Sequence, residues 1–211
     1  MELSGIYCIV DADATATPLA LLDDVLAGGA RLVQYRAKRG VDRDLVRKML
    51  ARTRAAGATL IVNDDLEAAL DADGLHVGQE DLASLEASSL RARLGDRVLG
   101  VSCSSAQEAR DAARLGADYL GVGPYAVTGS KDDAGAPIGA RGVRAIVEAT
   151  TLPAVAIGGI ELSMLADVVR SGARMAAIIS AIARGPDARA NARAFVELWE
   201  TLTRSRAASQ L

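Results

Sequence analysis

Residues 106–122 read AQEARDAARLGADYLGV, and this stretch holds one complete unit of a pattern that recurs along the chain. Ala106–Leu115 mixes alanine and leucine with charged residues, which indicates an amphipathic helix. Gly116-Ala117 marks its end, because glycine readily adopts the left-handed conformation that closes a helix. The short apolar run Tyr119–Val122 follows and predicts a buried strand.

The helix, the Gly-Ala turn and the strand recur over the 211 residues of the chain, with further Gly-Ala pairs at positions 29–30, 57–58 and 172–173. Such alternation is typical of βαβ units and a parallel sheet. The predicted strands are Ile6–Val10, Arg31–Tyr35, Thr59–Val62, Gly74–Val77, Val98–Val101, Tyr119–Val122, Ala154–Ile157 and Ala176–Ile179. The predicted helices are Pro18–Ala27, Asp42–Ala56, Leu66–Asp71, Ser84–Leu94, Ala106–Leu115, Ala140–Ala149, Ser163–Ser171 and Arg189–Arg204.

Eight such units can close into a barrel or wind into an open, doubly wound sheet. An open dinucleotide-binding sheet favours a glycine-rich turn directly after its first strand, whereas the first strand here runs into Asp11-Ala12-Asp13-Ala14-Thr15. A flavodoxin-like sheet needs fewer strands. We therefore predict an α/β fold, a single (β/α)8 TIM-barrel domain over residues 1–211, with residues 206–211 as a frayed tail.

Composition excludes several classes of partner. Net charge is −3 without a long basic run, which argues against a nucleic-acid partner. No apolar run reaches the length of a membrane span, and the N-terminus does not read as a signal peptide. The two cysteines form neither a disulfide framework nor a CxxC metal site. We predict a cytoplasmic protein with small-molecule substrates and no nucleic-acid or membrane partner, and a homodimer is compatible with this composition.

Polar residues gather where the predicted strands end, which is where a (β/α)8 barrel binds its substrate. The second strand ends in Gln34-Tyr35-Arg36-Ala37-Lys38, in which alternation points Gln34, Arg36 and Lys38 the same way. Arginine binds phosphate with two parallel hydrogen bonds and lysine acts as a point charge. The segment therefore predicts an anion site, with a solvated loop as the alternative.

Asp64 and Asp81 follow the third and fourth strands. An aspartate at such a position often caps the next helix, which suits Asp65. Two carboxylates on neighbouring strand ends also fit Mg²⁺, which takes one or two carboxylates and leaves its other positions to water and phosphate. We predict Asp64 and Asp81 as Mg²⁺ ligands, and we interpret His76, inside the fourth strand, as a barrel-interior residue.

The second half of the barrel offers a second phosphate site. The segment 123–133 is the longest irregular stretch, and Thr128, Ser130 and Lys131 within it provide two hydroxyls and a cation. A Gly-Gly pair at 158–159 and a serine after the eighth strand occupy the loops that recurrently bind phosphate in barrels. The alternatives are a polar loop without a ligand and glycines that serve turn geometry alone.

Ser102 and Cys103 follow the fifth strand. The sequence shows no histidine partner for either, so we predict neither as a nucleophile.

Six motifs, taken in this order and spacing, resemble those of the thiamine phosphate synthase family. The resemblance runs from Ile6 to about Trp199. The motifs are Gln34–Lys38, Val62–Asp65, Asp73–Asp81, Gly100–Ser102, Ala117–Pro124 and Ala156–Ile160.

The resemblance implies a transferase that joins 4-amino-2-methyl-5-(diphosphooxymethyl)pyrimidine to a thiazole (carboxy)phosphate, giving thiamine phosphate and diphosphate. It implies a Mg²⁺-assisted dissociative mechanism, with Mg²⁺ on Asp64 and Asp81 and with Arg36, Lys38 and Lys131 as catalytic cations. For the pyrimidine diphosphate it implies contacts from Gln34, Tyr35, Arg36, Ala37, Lys38, Asn63, Ser102 and Lys131. For the thiazole phosphate it implies contacts from Thr128, Gly129, Ser130, Gly159, Ile179 and Ser180.

Two departures from the family pattern fall on the thiazole side. The family's sixth-strand loop usually reads Phe-Pro-Thr-x-Thr-Lys, where this chain has Ala126–Lys131 with a serine for the second threonine and no proline. The asparagine that often follows Gly-Gly-Ile is absent from Glu161–Met164. One alternative is a thiazole tautomerase-like isomerase, whose relatives carry a histidine where this chain has Cys103–Ser105. The other is a non-catalytic barrel that binds a phosphate ligand.

Overall fold

The computed structural model describes residues 3–84, 87–129 and 135–208, and its strands form a closed barrel in the order β1 to β8. Every strand pairs in parallel with the next, and β8 pairs with β1. The predicted α/β TIM barrel is therefore confirmed. The strands are β1 Gly5–Asp11, β2 Leu32–Arg36, β3 Thr59–Asn63, β4 Gly74–Val77, β5 Val98–Cys103, β6 Tyr119–Val122, β7 Ala154–Ile157 and β8 Met175–Ile178.

Helices connect the strands and cover the outside of the barrel. None of the helices within the described ranges is both long and apolar enough to cross a bilayer. The helices are α1 Pro18–Ala27, α2 Arg43–Ala55, α3 Leu66–Ala69, α4 Gln79–Ser84, α5 Ala87–Leu94, α6 Ala106–Leu115, α7 Gly139–Val147, α8 Leu165–Arg170, α9 Ser180–Ala183 and α10 Ala188–Ala208, with a 3-10 turn at Leu162–Met164.

Helix α6 shows how local chemistry sets these bounds. The Ser105 hydroxyl accepts a hydrogen bond from the Glu108 N–H at 3.2 Å and caps the helix start. Gly116 ends it in the left-handed region with φ 85°. Between these ends, Ala109 and Ala112 are buried against the barrel wall. The predicted bounds of α6 and β6 are both confirmed.

Two layers of apolar side chains hold the barrel together. The larger layer lies between the strands and the helices and includes Leu22, Met49 and Leu60. The smaller layer fills the barrel interior and includes Tyr7 and Tyr119, two of the few aromatic residues in the chain. This inner layer forms the floor beneath the C-terminal strand ends.

The structure differs from the predicted helices in several places. The segment predicted as Ser84–Leu94 contains the end of α4 and all of α5, and α9 was not predicted because four residues show no helical period. Of the tail predicted to fray over residues 206–211, residues 206–208 are helical and residues 209–211 lie outside the described residues. Arg206 Nη1 donates to the Val169 carbonyl oxygen at 2.6 Å, which ties the end of α10 to α8.

Candidate active site

A cavity of about 280 Å³ opens at the C-terminal ends of β1, β2 and β8. Its wall brings together residues that the sequence assigned to two different substrates, from the β2 end and from the loops after β6 and β8. Of the predicted site residues, the cavity is lined by Arg36, Lys38, Gly129, Ile179 and Ser180.

The Arg36 guanidinium is fixed by an ion pair that sequence reasoning missed. Its Nη1 donates to Asp11 Oδ2 at 2.5 Å, and the two side chains are 13% and 9% exposed. Asp13 Oδ2 accepts from the Lys38 N–H at 2.7 Å, which holds the two loops together. The sequence does contain a signal for this ion pair. Asp11 and Asp13 alternate at the end of β1, just as Arg36 and Lys38 alternate at the end of β2. The register places Asp11 directly beside Arg36.

Asp64 lies beside Asp81 and is held in an unusual backbone conformation. Its φ of 62° is left-handed, its N–H donates to the His76 carbonyl at 2.8 Å, and its Oδ1 accepts from the Gly78 N–H at 3.3 Å. The Asn63 amide donates to the other carboxylate oxygen. Burial, followed by the negative charge of Asp81, raises the pKa of Asp64 to about 6.

The neighbouring Asp65 has a different role. Its Oδ1 accepts from the Ala68 N–H at 2.9 Å and caps α3. The interpretation of Asp65 as a helix cap is therefore confirmed. Of the two adjacent aspartates at the end of β3, Asp65 therefore caps a helix and Asp64 belongs to the carboxylate pair.

The carboxylate pair fits a magnesium ion better than a structural zinc. Among the residues the structure describes, no group of three or more histidine, cysteine, aspartate or glutamate side chains is placed to hold a metal. Zinc sites need three or four protein ligands, whereas Mg²⁺ takes one or two carboxylates and completes its shell with water and phosphate. The positive charge of Arg36 lies close enough to Asp64 to lower its pKa, although burial and the charge of Asp81 raise that pKa by more. The guanidinium and the two carboxylates therefore lie at the same end of the barrel.

A chain of hydrogen bonds crosses the barrel interior below this site. Gln34 Nε2 donates to the Tyr7 hydroxyl at 3.1 Å, and the Tyr7 and Tyr119 hydroxyls are 2.9 Å apart. His76 Nδ1 lies 3.0 Å from the Tyr119 hydroxyl, and His76 Nε2 lies 3.0 Å from Ser102 Oγ. The interior location of His76 is confirmed, whereas the prediction that Ser102 has no histidine partner is wrong. The tyrosines were missed because their strands read as ordinary apolar runs.

Two glycines make room for this chain. A Cβ on Gly100 would lie 2.1 Å from Tyr119 Cζ, and a Cβ on Gly121 would lie 2.8 Å from His76 Cε1. The β5 and β6 backbones therefore approach the two rings directly. Burial lowers the pKa of His76 to about 4, so the imidazole is neutral at pH 7.

The loop after β6 is attached to the end of β7 by main-chain contacts. The Tyr125 N–H donates to the Ile157 carbonyl at 2.7 Å, and the Ala126 N–H donates to the Gly158 carbonyl at 2.9 Å. A Cβ on Gly159, whose φ is 64°, would lie 2.3 Å from the Val127 carbonyl oxygen. A small pocket beneath the loop is lined by Thr128, Gly159, Ile179 and Ser180, among others. The predicted residues Ser130 and Lys131 lie outside the described residues.

Comparison with known proteins places the chain among relatives. A family model described as thiamine monophosphate synthase matches residues 6–182. The chain belongs to the thiamine monophosphate synthase family. It is 48% identical over 194 residues to the thiamine-phosphate synthase of Moorella thermoacetica, covering 89% of this chain and 90% of that one. It is 44% identical over 195 residues to that of Chloroflexus aurantiacus, covering 89% of each chain.

A solved structure of the same family has the same barrel. The thiamine phosphate pyrophosphorylase from Pyrococcus furiosus is 30% identical in sequence and superposes with a TM-score of 0.85. The superposition covers 94% of this chain and 96% of the Pyrococcus furiosus chain. The predicted membership of the thiamine monophosphate synthase family is confirmed.

Family membership does not place every predicted side chain in the site. Tyr35 is buried in the layer between barrel and helices, and Ala37 packs against that same layer. Strand alternation turns both away from the barrel axis, because Gln34 and Arg36 point inward. The side chains of Tyr35 and Ala37 therefore face the helices and not the cavity, and their predicted contact with substrate stays a prediction.

Proposed function

We propose that this protein is a thiamine-phosphate synthase that joins 4-amino-2-methyl-5-(diphosphooxymethyl)pyrimidine to a thiazole (carboxy)phosphate and releases diphosphate. The observation that carries the proposal is the meeting of a fixed guanidinium, Arg36, with the Asp64 and Asp81 carboxylates at one end of a family barrel. A cation beside a pair of metal-type carboxylates suits a diphosphate. The names of the relatives in Moorella thermoacetica and Chloroflexus aurantiacus support the same activity.

Asp64 and Asp81 would hold Mg²⁺. An ion bound there would neutralise charge on the diphosphate and make it a better leaving group. The Asn63 amide and the Gly78 N–H keep the Asp64 carboxylate in place.

Arg36 and Lys38 would bind the diphosphate and stabilise the negative charge that grows as its bond to carbon breaks. The ion pair with Asp11 orients the guanidinium before substrate arrives, so little reorganisation is needed. Lys38 is exposed on the cavity wall, where it adds a second positive charge. By the family resemblance, Lys131 contributes a third.

The bond to the thiazole forms without a protein nucleophile. The ring nitrogen of the thiazole captures the pyrimidine-methyl cation, and the packed barrel floor, which includes Ile9 and Ile61, keeps water away from below. Cys103 offers no competing nucleophile, because burial raises the pKa of its thiol to about 12. Both cysteines are free thiols, which supports a location in the reducing cytoplasm.

We assign the thiazole phosphate to the loops after β6, β7 and β8. The small pocket there is lined by Thr128, Gly159 and Ile179, among others. Gly129 and Ser180 reach from these loops to the larger cavity, so both substrates would meet there. Ser130 is assigned to the same phosphate by the family resemblance alone.

One assay tests the proposed function directly. Purified protein, Mg²⁺, the pyrimidine diphosphate and either the thiazole phosphate or its carboxylated form are mixed, and thiamine phosphate and diphosphate are quantified. We expect the two products in equal amounts with at least one thiazole form, and no thiamine phosphate when either substrate is left out. Absence of product with both thiazole forms over a full range of Mg²⁺ concentrations would refute the synthase activity.

A further inference from the structure

The short helix α9 forms a wall shared by the two pockets on the β6–β8 side. Ser180, its first residue, lines both the larger cavity and the small pocket, as does Ile179 just before it. Ala181 lines the small pocket and Ala183 lines the larger cavity. The position of this single helical turn therefore sets where Ser180 lies in relation to a ligand in either pocket.

Helix α9 has few internal contacts that could fix its position. It consists of four residues, and a helix of that length leaves its last carbonyl groups without partners inside the helix. The Ile179 carbonyl accepts from the N–H groups of Ile182 and Ala183 at 3.3 and 3.4 Å, and both distances are long for backbone hydrogen bonds. Burial of the Ile182 side chain, which is 2% exposed, fixes one point of the turn. The end of α9 therefore depends on support from outside the helix.

That support comes from Asn191 on α10. Its Nδ2 donates to the Ile182 carbonyl at 3.0 Å and to the Arg184 carbonyl at 2.8 Å. Both partners are carbonyl oxygens, which can only accept, so the side chain must present its NH2 group to them. Helix α10 is well held, because Phe195 and Trp199 are buried in the layer between the strands and the helices. Asn191 therefore attaches the end of α9 to a 21-residue helix that packs on the barrel.

An ion pair provides a weaker second attachment. Arg184 Nη2 donates to Glu161 Oε1 at 2.9 Å and its Nη1 donates to Oε2 at 3.3 Å, which joins the end of α9 to the loop after β7. The two side chains are 63% and 41% exposed, and exposed ion pairs stabilise a structure little. The pair therefore supplements Asn191 and does not replace it.

We propose that Asn191 is a positioning residue that, through α9, places Ser180 for the phosphate of the thiazole substrate. This inference rests on the proposed synthase function, in which that phosphate binds at the loops after β6, β7 and β8. Asn191 is not among the described residues that line either pocket, so it acts through the α9 backbone. Its loss should weaken binding of the thiazole phosphate and leave binding of the pyrimidine diphosphate, assigned to β2 to β5, unchanged.

Calorimetric titration of the thiazole phosphate into the protein, without the pyrimidine diphosphate, tests the inference directly. We expect the Kd of Asn191→Ala to be at least about fivefold higher than that of the wild-type protein, because a small displacement of a binding group weakens its contact with substrate. Steady-state kinetics give a second measurement. The KM for the thiazole phosphate should rise to the same extent, and the KM for the pyrimidine diphosphate should stay within about twofold of the wild-type value.

Asp187→Ala is the matched control. Asp187 caps α10 one turn before Asn191, with its Oδ1 accepting from the Ala190 N–H at 2.8 Å, so its side chain stabilises α10 and not α9. Both variants should lower the melting temperature by about 2–4 °C, and only Asn191→Ala should alter the Kd for the thiazole phosphate. A general loss of stability at the start of α10 is thereby separated from the contact with α9.

Three results would each overturn the inference. They are an equal Kd in the wild-type and Asn191→Ala proteins, an equal rise of Kd in Asp187→Ala, and no binding of the thiazole phosphate to the wild-type protein. A failure of the synthase proposal is seen elsewhere, as absent product in the two-substrate assay. The titration needs no turnover, so the two failures are distinguishable.

Discussion

The two sides of the active site are built by different means. On the β2–β5 side, proposed ligand-binding side chains are held by other side chains, as Arg36 is by Asp11 and Ser102 is by His76. On the β6–β8 side, main-chain hydrogen bonds and Gly159 hold the loop in place. This difference explains why the departures from the family pattern fall on the β6–β8 side. A loop placed by its backbone tolerates a change of side chain better than a charged pair does.

The largest expected effect tests the β2–β5 side. Asp64→Ala and Asp81→Ala should each lower Mg²⁺-dependent turnover by at least about a thousandfold, since a bound ion contributes several kcal/mol to stabilising a departing phosphate group. The measurement is the initial rate of thiamine phosphate formation over a range of Mg²⁺ concentrations. Thermal unfolding of both variants shows whether the fold is retained.

Asp65→Ala provides the matched control beside Asp64. Because Asp65 caps α3, its loss should reduce the free energy of unfolding by about 1 kcal/mol and leave the Mg²⁺ dependence unchanged. If Asp64→Ala or Asp81→Ala retained wild-type turnover, that carboxylate would no longer be a candidate ligand. A Mg²⁺ defect in Asp65→Ala would mean that the metal site extends beyond the pair.

A smaller effect is expected on the β6–β8 side. Gly159→Ala places a Cβ 2.3 Å from the Val127 carbonyl oxygen, so the loop must move. We expect the KM for the thiazole phosphate to rise by about tenfold, because small displacements of a binding loop weaken substrate positioning. The KM for the pyrimidine diphosphate should stay unchanged. Steady-state kinetics with each substrate varied in turn separates the two.

Gly57→Ala controls for backbone strain alone. Gly57 has nearly the same φ, 65°, but a Cβ there would meet no described atom within 4 Å, and it lies before β3 at the opposite end of the barrel. Both variants should lose about 1–2 kcal/mol of stability from the left-handed backbone, and only Gly159→Ala should alter the KM for the thiazole phosphate. If the pyrimidine KM rose equally in Gly159→Ala, the division between the two sides would be wrong.

The barrel and most strand-end residues follow from the sequence because both depend on local periodicity. Alternation placed Gln34 and Arg36 inward, and the same rule turns the Tyr35 side chain toward the helices. The partners of these residues were less accessible to sequence reasoning. Asp11 becomes a partner of Arg36 only through strand register. The His76–Ser102 contact exists because glycines on β5 and β6 open space inside the barrel, which no single strand reveals.

A further effect concerns stability against pH and belongs to the β2–β5 side alone, because His76 is the only histidine. Burial lowers its pKa from 6.5 to about 4, so between these values the unfolded chain binds a proton that the folded protein does not. Stability is therefore full above pH 6.5, falls as the pH decreases, and is about 3 kcal/mol lower below pH 4. Urea denaturation of wild-type and His76→Gln proteins at a series of pH values isolates this contribution, since carboxylates titrate in both. Parallel pH profiles would show that the imidazole binds its proton equally in the folded and unfolded protein, so that burial does not lower its pKa.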